Sequence, residues 1–158
     1  MQIVSPGKAT PIHEGLSMRL HVTSEPFPAD ELRLVIEGID KHNLASTGLP
    51  AHHPVNFFLK NEEGMVMGGL LGQIWGRWLH VSYIWVAEQV RSAGHGTLLV
   101  RQAEEYAIER GCVGAFLSTF SFQARPFYEN LGYRVFATLE GFPPGHSHFH
   151  LKRHFANG

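Results

Sequence analysis

Residues 78–119 constrain the fold more than any other stretch of this chain. They read in order as an apolar strand, a short glycine-bearing turn, an amphipathic helix and a second apolar strand. Trp78-Leu-His-Val-Ser-Tyr-Ile-Trp-Val86 is rich in aromatic and β-branched residues, as strands are. The turn Ala87-Glu-Gln-Val-Arg-Ser-Ala-Gly94-His-Gly96 then opens a helix over residues 96–110. Leu98, Leu99, Ala103, Tyr106 and Ala107 form its apolar stripe, and Gly111 is placed to cap its end. Residues 113–119 form a continuous apolar run, the signature of a strand buried on both faces. Two strands joined through a helix cannot form a hairpin; the connection is a crossover, and it pairs them in parallel. The helix start also has a chemical consequence. Unpaired N–H groups and the positive end of the helix dipole favour an anion there. Gly94 and Gly96 give a phosphate access to the main chain, and Arg91 adds a positive charge at the mouth.

The flanking segments read as antiparallel structure. Residues 55–60, 65–75 and 78–86 form a meander joined by tight turns at 61–64 and 76–77. Residues 133–139 and 147–155 pair around the loop 140–145, preceded by a short helix at 124–131 that Gly132 stops. Upstream, residues 18–23 alternate like a strand, and Pro26 and Pro28 end it. Residues 29–43 carry Leu32, Val35, Ile36 and Ile39 at helical spacing, with Asp30 and Glu31 in the first turn. Residues 44–54 read as an irregular loop holding His52 and His53, and residues 1–17 as a loose arm. The expected architecture is α+β: one domain over 18–155, with a mixed, mostly antiparallel sheet of six or seven strands flanked by helices.

Composition narrows the function classes. The chain has 158 residues, 44% hydrophobic and 17% charged, with net charge −1. That balance carries no electrostatic footprint of nucleic-acid binding. No apolar run is long enough to span a bilayer. Cys112 is the single cysteine, which excludes an internal disulfide and fits a reducing, cytoplasmic compartment. The 11 histidines are the unusual figure. His146, His148 and His150 alternate toward the end of the chain, but no neighbouring carboxylate or cysteine completes a metal site, and surface or pocket-lining roles are expected.

The turn lacks the Gly-Lys-Ser/Thr of a P-loop and the Gly-x-Gly-x-x-Gly of a dinucleotide fold. Its spacing, Val86 followed by Arg91-x-x-Gly94-x-Gly96, resembles the acetyl-CoA signature of the Gcn5-related N-acetyltransferase (GNAT) superfamily. Downstream, Ala124-Arg-Pro-Phe127-Tyr128-Glu-Asn-Leu-Gly132-Tyr133 resembles that family's Ala-x-x-Phe-Tyr-x-x-x-Gly-Phe segment. The resemblance covers residues 18–155, in the same element order.

The resemblance implies acetyl-CoA as co-substrate and no metal. It implies that the strands at 78–86 and 113–119, the fourth and fifth of that fold, splay apart around the cofactor. The pyrophosphate would lie on the main chain of Arg91, Ser92, Ala93, Gly94, His95, Gly96 and Thr97. The pantetheine arm would run along the backbone of Ile84, Trp85 and Val86; the side chains of Ile84 and Trp85 read as core. Ala124 and Phe127 belong to the second motif. Ser121 stands where the family often has asparagine, and its shorter side chain puts that cofactor contact in doubt. Tyr128 takes the place of the acid that assists the departing thiolate; packing is its other reading. His80 takes the position of the glutamate base of histone-acetylating members, and equally reads as an exposed strand residue. His52, His53 and His146 are candidates for contact with the acceptor, which is expected to be a small-molecule amine. A homodimer fits the family habit. The second function reading is a catalytically silent acyl-CoA-binding module, and transfer of a longer acyl group is a third.

Overall fold

The computed structural model describes residues 29–156; the arm expected at 1–17 and the strand expected at 18–23 fall outside them. Helix α1 (Ala29–Thr47) leads into three strands, β1 (His53–Lys60), β2 (Val66–Trp75) and β3 (Trp78–Val86). A single 3-10 turn (Glu88–Val90), helix α2 (His95–Glu109), strand β4 (Gly114–Phe120) and the short helix α3 (Arg125–Asn130) follow. Strands β5 (Arg134–Glu140) and β6 (Ser147–His154) close the chain. The six strands form one sheet in the order β1-β2-β3-β4-β6-β5. β3 and β4 pair in parallel across the α2 crossover, and the other neighbours are antiparallel. No helix among the described residues is long and apolar enough to cross a membrane.

One face of the sheet carries the core. Val55 of β1, Leu70 and Ile74 of β2, Leu79 and Val81 of β3, Ala115 and Leu117 of β4 and Leu151 of β6 are all buried. α2 covers them with Leu99, Val100, Ala103 and Ala107. Leu98, placed on this stripe from the sequence, is 50% exposed, and Val100 takes its place at 0%.

The register of β3 changes midway. Gly72 of β2 faces Val81, but Leu71 faces Tyr83, so Ser82 is an extra residue opposite that junction. The bulge shifts the alternation by one. Before it, Leu79 and Val81 point toward α2; after it, Ile84 and Val86 do. Without the bulge, strict alternation would turn Tyr83 and Trp85 inward instead.

Three local features depart from the sequence reading. α1 runs four residues beyond 43, to Thr47, because a capping signal lies there. Gly48 adopts φ 69° and returns its N–H to the Leu44 carbonyl, while Thr47 Oγ1 accepts the Leu49 N–H. The expected loop 44–54 therefore shrinks, and β1 claims His53 and Pro54. The α1 stripe itself is open: Leu32, Val35, Ile36 and Ile39 are 47–72% exposed. Periodicity establishes that a helix has an apolar face but not what covers it.

The third feature is Glu104, on the inner side of α2 and only 2% exposed. Its Oε2 accepts hydrogen bonds from Arg101 at 2.8 Å and from Arg153 of β6 at 2.6 Å. The pair with Arg153 ties the helix to the far side of the sheet. Removing a carboxylate that balances two guanidinium groups leaves their charges facing each other. Because both arginines keep some solvent contact, Glu104→Ala is expected to cost about 2 kcal/mol. Calorimetry would then record a thermal midpoint lower by roughly 4–8 °C.

Candidate functional site

The parallel pairing of β3 with β4 covers only Trp78↔Gly114 through Val81↔Leu117. Beyond that point β3 continues as Ile84, Trp85 and Val86, bonded to β2 on one side and, among the described residues, with no strand on the other. The bulge at Ser82 coincides with the separation, so the kink that re-phases β3 also opens the fork. Apart from the Val86 carbonyl, which Arg91 engages, main-chain groups on the open side of this stretch can pair with an extended ligand arm, as an added strand would.

The turn after β3 supplies the second wall. Arg91 Nε donates to the Val86 carbonyl at 2.9 Å, fixing the start of the turn to the end of the strand. Ser92 (φ 63°) and Gly94 (φ 81°) are both left-handed, which curls successive N–H groups toward one side. The first helical bond of α2 runs from the Leu98 N–H to the Gly94 carbonyl. The N–H groups of His95, Gly96 and Thr97 thus lack an intrahelical acceptor, and no side chain caps them. An anion with several oxygens fits such a cradle.

The two glycines serve different needs. Gly94 is required by its positive φ, with open space around it. Gly96 makes room for a side chain: a Cβ there would stand 3.3 Å from the Phe127 ring.

Phe127 brings α3 against the start of α2. The third wall follows from it, since Tyr128 is next in the chain, 6% exposed and edge-on to Phe127 at 5.0 Å and Tyr133 at 6.2 Å. Burial pushes the Tyr128 phenol up to about 12. Ile84, Trp85, Val86, Arg91, Ser92, Gly94, His95, Gly96, Thr97, Ala124, Phe127 and Tyr128 together line one cavity of about 540 Å³. All of these were sequence candidates. Ala93 is exposed on the turn and does not line the cavity. Ser121 does not either. Its hydroxyl accepts the Ser147 N–H at 3.2 Å and shares a 3.1 Å hydrogen bond with His146 Nδ1, fastening the β5–β6 turn to the end of β4.

The histidine candidates divide between faces. His80 alternates with the buried Leu79 and Val81, so it lies on the sheet face away from α2, stacked on Phe116 at 4.5 Å. Burial, and secondarily His52, lower its pKa from the ordinary 6.5. His52 lies on that same face, edge-on to Trp75 at 5.5 Å. His53 is turned the other way, toward α2, where its Nε2 shares a 2.8 Å hydrogen bond with the Tyr106 hydroxyl. The two neighbouring side chains thus stand on opposite sides of the sheet. His146 precedes β6 and is held by Ser121, so the alternation on the strand is limited to His148 and His150, 4.8 Å apart. Among the described residues no group of three His, Cys, Asp or Glu side chains could hold a metal ion.

A fork, an anion cradle and a buried phenol thus meet around one cavity. The model of the acetyltransferase (GNAT) family matches residues 18–133, and the chain belongs to that family of acyltransferase enzymes. It is 44% identical over 85 residues to the blasticidin-S acetyltransferase of Streptomyces morookaense; the match takes in 53% of this chain and 62% of that relative. A crystal structure of an acetyltransferase from Agrobacterium tumefaciens superposes with a TM-score of 0.81 at 30% identity, covering 87% of this chain and all of that one. A streptothricin acetyltransferase of Bacillus anthracis, solved with acetyl coenzyme A, shares the fold at a TM-score of 0.58 and 21% identity, over 65% of this chain and 63% of that one.

Proposed function

We propose that this protein is an N-acetyltransferase that moves an acetyl group from acetyl-CoA directly to the primary amine of a small molecule. One observation carries the reading: the open edge of β3, the N–H cradle of the turn and the Tyr128 phenol meet in a single cavity. The residues present fit the donor. The cradle suits a pyrophosphate, the open edge of β3 at Ile84–Val86 suits the amide-bearing pantetheine arm, and the ring of Phe127 supplies an apolar wall. Bound acetyl-CoA supplies an activated acyl carbon and a thiolate leaving group. The name of the blasticidin-S relative supports a small-molecule acceptor.

In the transfer a nitrogen–carbon bond forms, the carbon–sulfur bond breaks, and the amine loses a proton. An alkylamine with a pKa of about 10.4 is almost wholly protonated at neutral pH, so proton removal is the larger task. His80 is the candidate base; it stands two residues before the fork, on the sheet face opposite α2. Its lowered pKa keeps the imidazole neutral, hence able to accept a proton, at neutral pH and some way below 6.5. kcat/KM should therefore hold into mildly acidic buffer further than an ordinary histidine would allow, then fall as the ring is protonated. In His80→Gln the rate should drop and this acid limb should vanish; an unchanged limb assigns the base elsewhere.

Tyr128 is the candidate donor on the other side. With its phenol at about 12, full proton transfer to a thiolate whose own pKa is about 8.5 runs uphill by roughly 5 kcal/mol. Its task is to hold a hydrogen bond to the developing sulfur charge, and the sulfur takes its proton afterwards from solvent. A thiol-release assay with acetyl-CoA and a panel of amines tests the reading. Release only when both substrates are present supports it. Tight acetyl-CoA binding with no release from any amine would instead favour a silent acyl-CoA-binding module.

A further inference from the structure

The sheet face away from α2 carries a second cavity just before the fork. It measures about 260 Å³ and is lined by His52, Gln73, Trp75, Trp78, His80 and Phe116. Its position follows from the register: His80 is paired with Phe116, one residue short of the last β3–β4 pair, and with Gln73 of β2. Along the strand, His80 is two residues, roughly 7 Å, from Ser82, the first residue past the last β3–β4 pair. A molecule seated on its ring therefore reaches the fork through a short side chain.

The walls are nearly all π-systems. His52 meets Trp75 edge-on at 5.5 Å, His80 lies flat on Phe116 at 4.5 Å, and Trp78 meets Phe116 edge-on at 6.4 Å. Gln73 is the lone amide, able to donate and accept at a ring edge. No Asp or Glu is among the lining residues. The groove continues past the same Trp78 and Phe116 rings toward Phe136 and Lys152, and so ends on a cation.

This chemistry selects among amines. A polyamine needs carboxylates to offset the cost of taking each charge from water, and here it would meet Lys152. An aliphatic chain gains only area burial. A planar ring gains that and about 0.5–1.5 kcal/mol more for each well-placed aromatic pair.

We propose that the acceptor is a monoamine carried on a planar ring. The ring seats against Trp75 and Trp78 with Gln73 at its edge, and the amine extends to the fork. The proposal rests on the acetyltransferase reading above, so its test has a binding arm independent of turnover. kcat/KM is compared for 2-phenylethylamine and tryptamine, for hexylamine, and for spermidine. In parallel, each amine is titrated against intrinsic tryptophan fluorescence with and without CoA.

The expected result is a preference of about tenfold or more for the ring-bearing amines, the size of one to two ring contacts. Trp75→Ala should remove that preference by lowering kcat/KM for the ring amines about tenfold more than for hexylamine, and Trp78→Phe should keep it. If no amine is acetylated but the ring amines alone change the fluorescence, the pocket stands and the acetyltransferase reading fails. Equal use of hexylamine and phenylethylamine, a preference for spermidine, or neither turnover nor a ring-specific fluorescence change overturns the proposal. So does a loss in Trp75→Ala that is equal for all amines.

Discussion

Tyr128→Phe is expected to lower kcat by roughly 10²–10³-fold, the usual cost of removing one preorganised donor from a site of developing negative charge. The ring would stay where it is. It is edge-on to Phe127 and Tyr133 and buried at 6% exposure, and phenylalanine keeps all of that packing. Burial raises the phenol's pKa, and among the described residues no hydrogen bond engages its hydroxyl, which leaves it available to a ligand. The variant should consequently melt within about 1 °C of the parent, since it changes no buried volume and strands no partner. It should also bind acetyl-CoA with nearly unchanged affinity. The split between kcat and binding is the informative part. A loss confined to thermal stability, with kcat intact, would make Tyr128 a packing residue.

Gly72→Ala should be the most damaging small substitution near the site. A Cβ on Gly72 would lie 2.5 Å from the carbonyl oxygen of His80, and the clash is with backbone, which cannot rotate away. Gly72 faces Val81 at the register shift, so the strain falls on the bulge itself. Overpacking of this kind costs about 3 kcal/mol, or roughly 6–12 °C in melting temperature for a domain of this size. A functional loss should accompany it, because the bulge turns Ile84 and Val86 inward and parts β3 from β4. Differential scanning calorimetry with and without acetyl-CoA checks both effects. The account expects a lower midpoint and a smaller ligand-induced rise; a full rise would mean that the fork does not depend on the bulge.

Much of this arrangement was legible in the sequence, for reasons that can be stated residue by residue. The crossover from β3 through α2 to β4 is written in a change of period, and the turn is written in Gly94 and Arg91. The second motif was readable because Phe127 and Tyr128 follow Ala124 at a fixed spacing, and the structure shows why the spacing matters: Phe127 fills the room that Gly96 leaves. The bulge was not legible. Ser82 sits among Val81, Tyr83, Ile84 and Trp85, where apolar residues occupy both phases and alternation cannot show a slipped register. Glu104 was hidden because a charged residue on a helix is ordinarily solvated, and its partner Arg153 lies 49 positions away. The end of α1 was missed although Gly48 offered a capping signal. His52 and His53 read as a pair in the sequence, but the alternation of β1 places them on opposite faces. The proposed acceptor pocket draws on Gln73, Trp75, Trp78 and Phe116, residues that read simply as strand, and the sheet register brings them together around His80.

The central claim is that the turn at residues 91–97 and the open edge of β3 hold acetyl-CoA. Backbone amide NMR shifts recorded during an acetyl-CoA titration test it most directly, because the claim concerns main-chain N–H groups. The account predicts the largest changes at His95, Gly96 and Thr97, with a second set at Ile84, Trp85 and Val86. A separate cavity of about 390 Å³, lined in part by Arg77, Arg101 and Arg153, provides an internal control. Changes confined to those arginines and their neighbours, with the turn silent, would contradict the account.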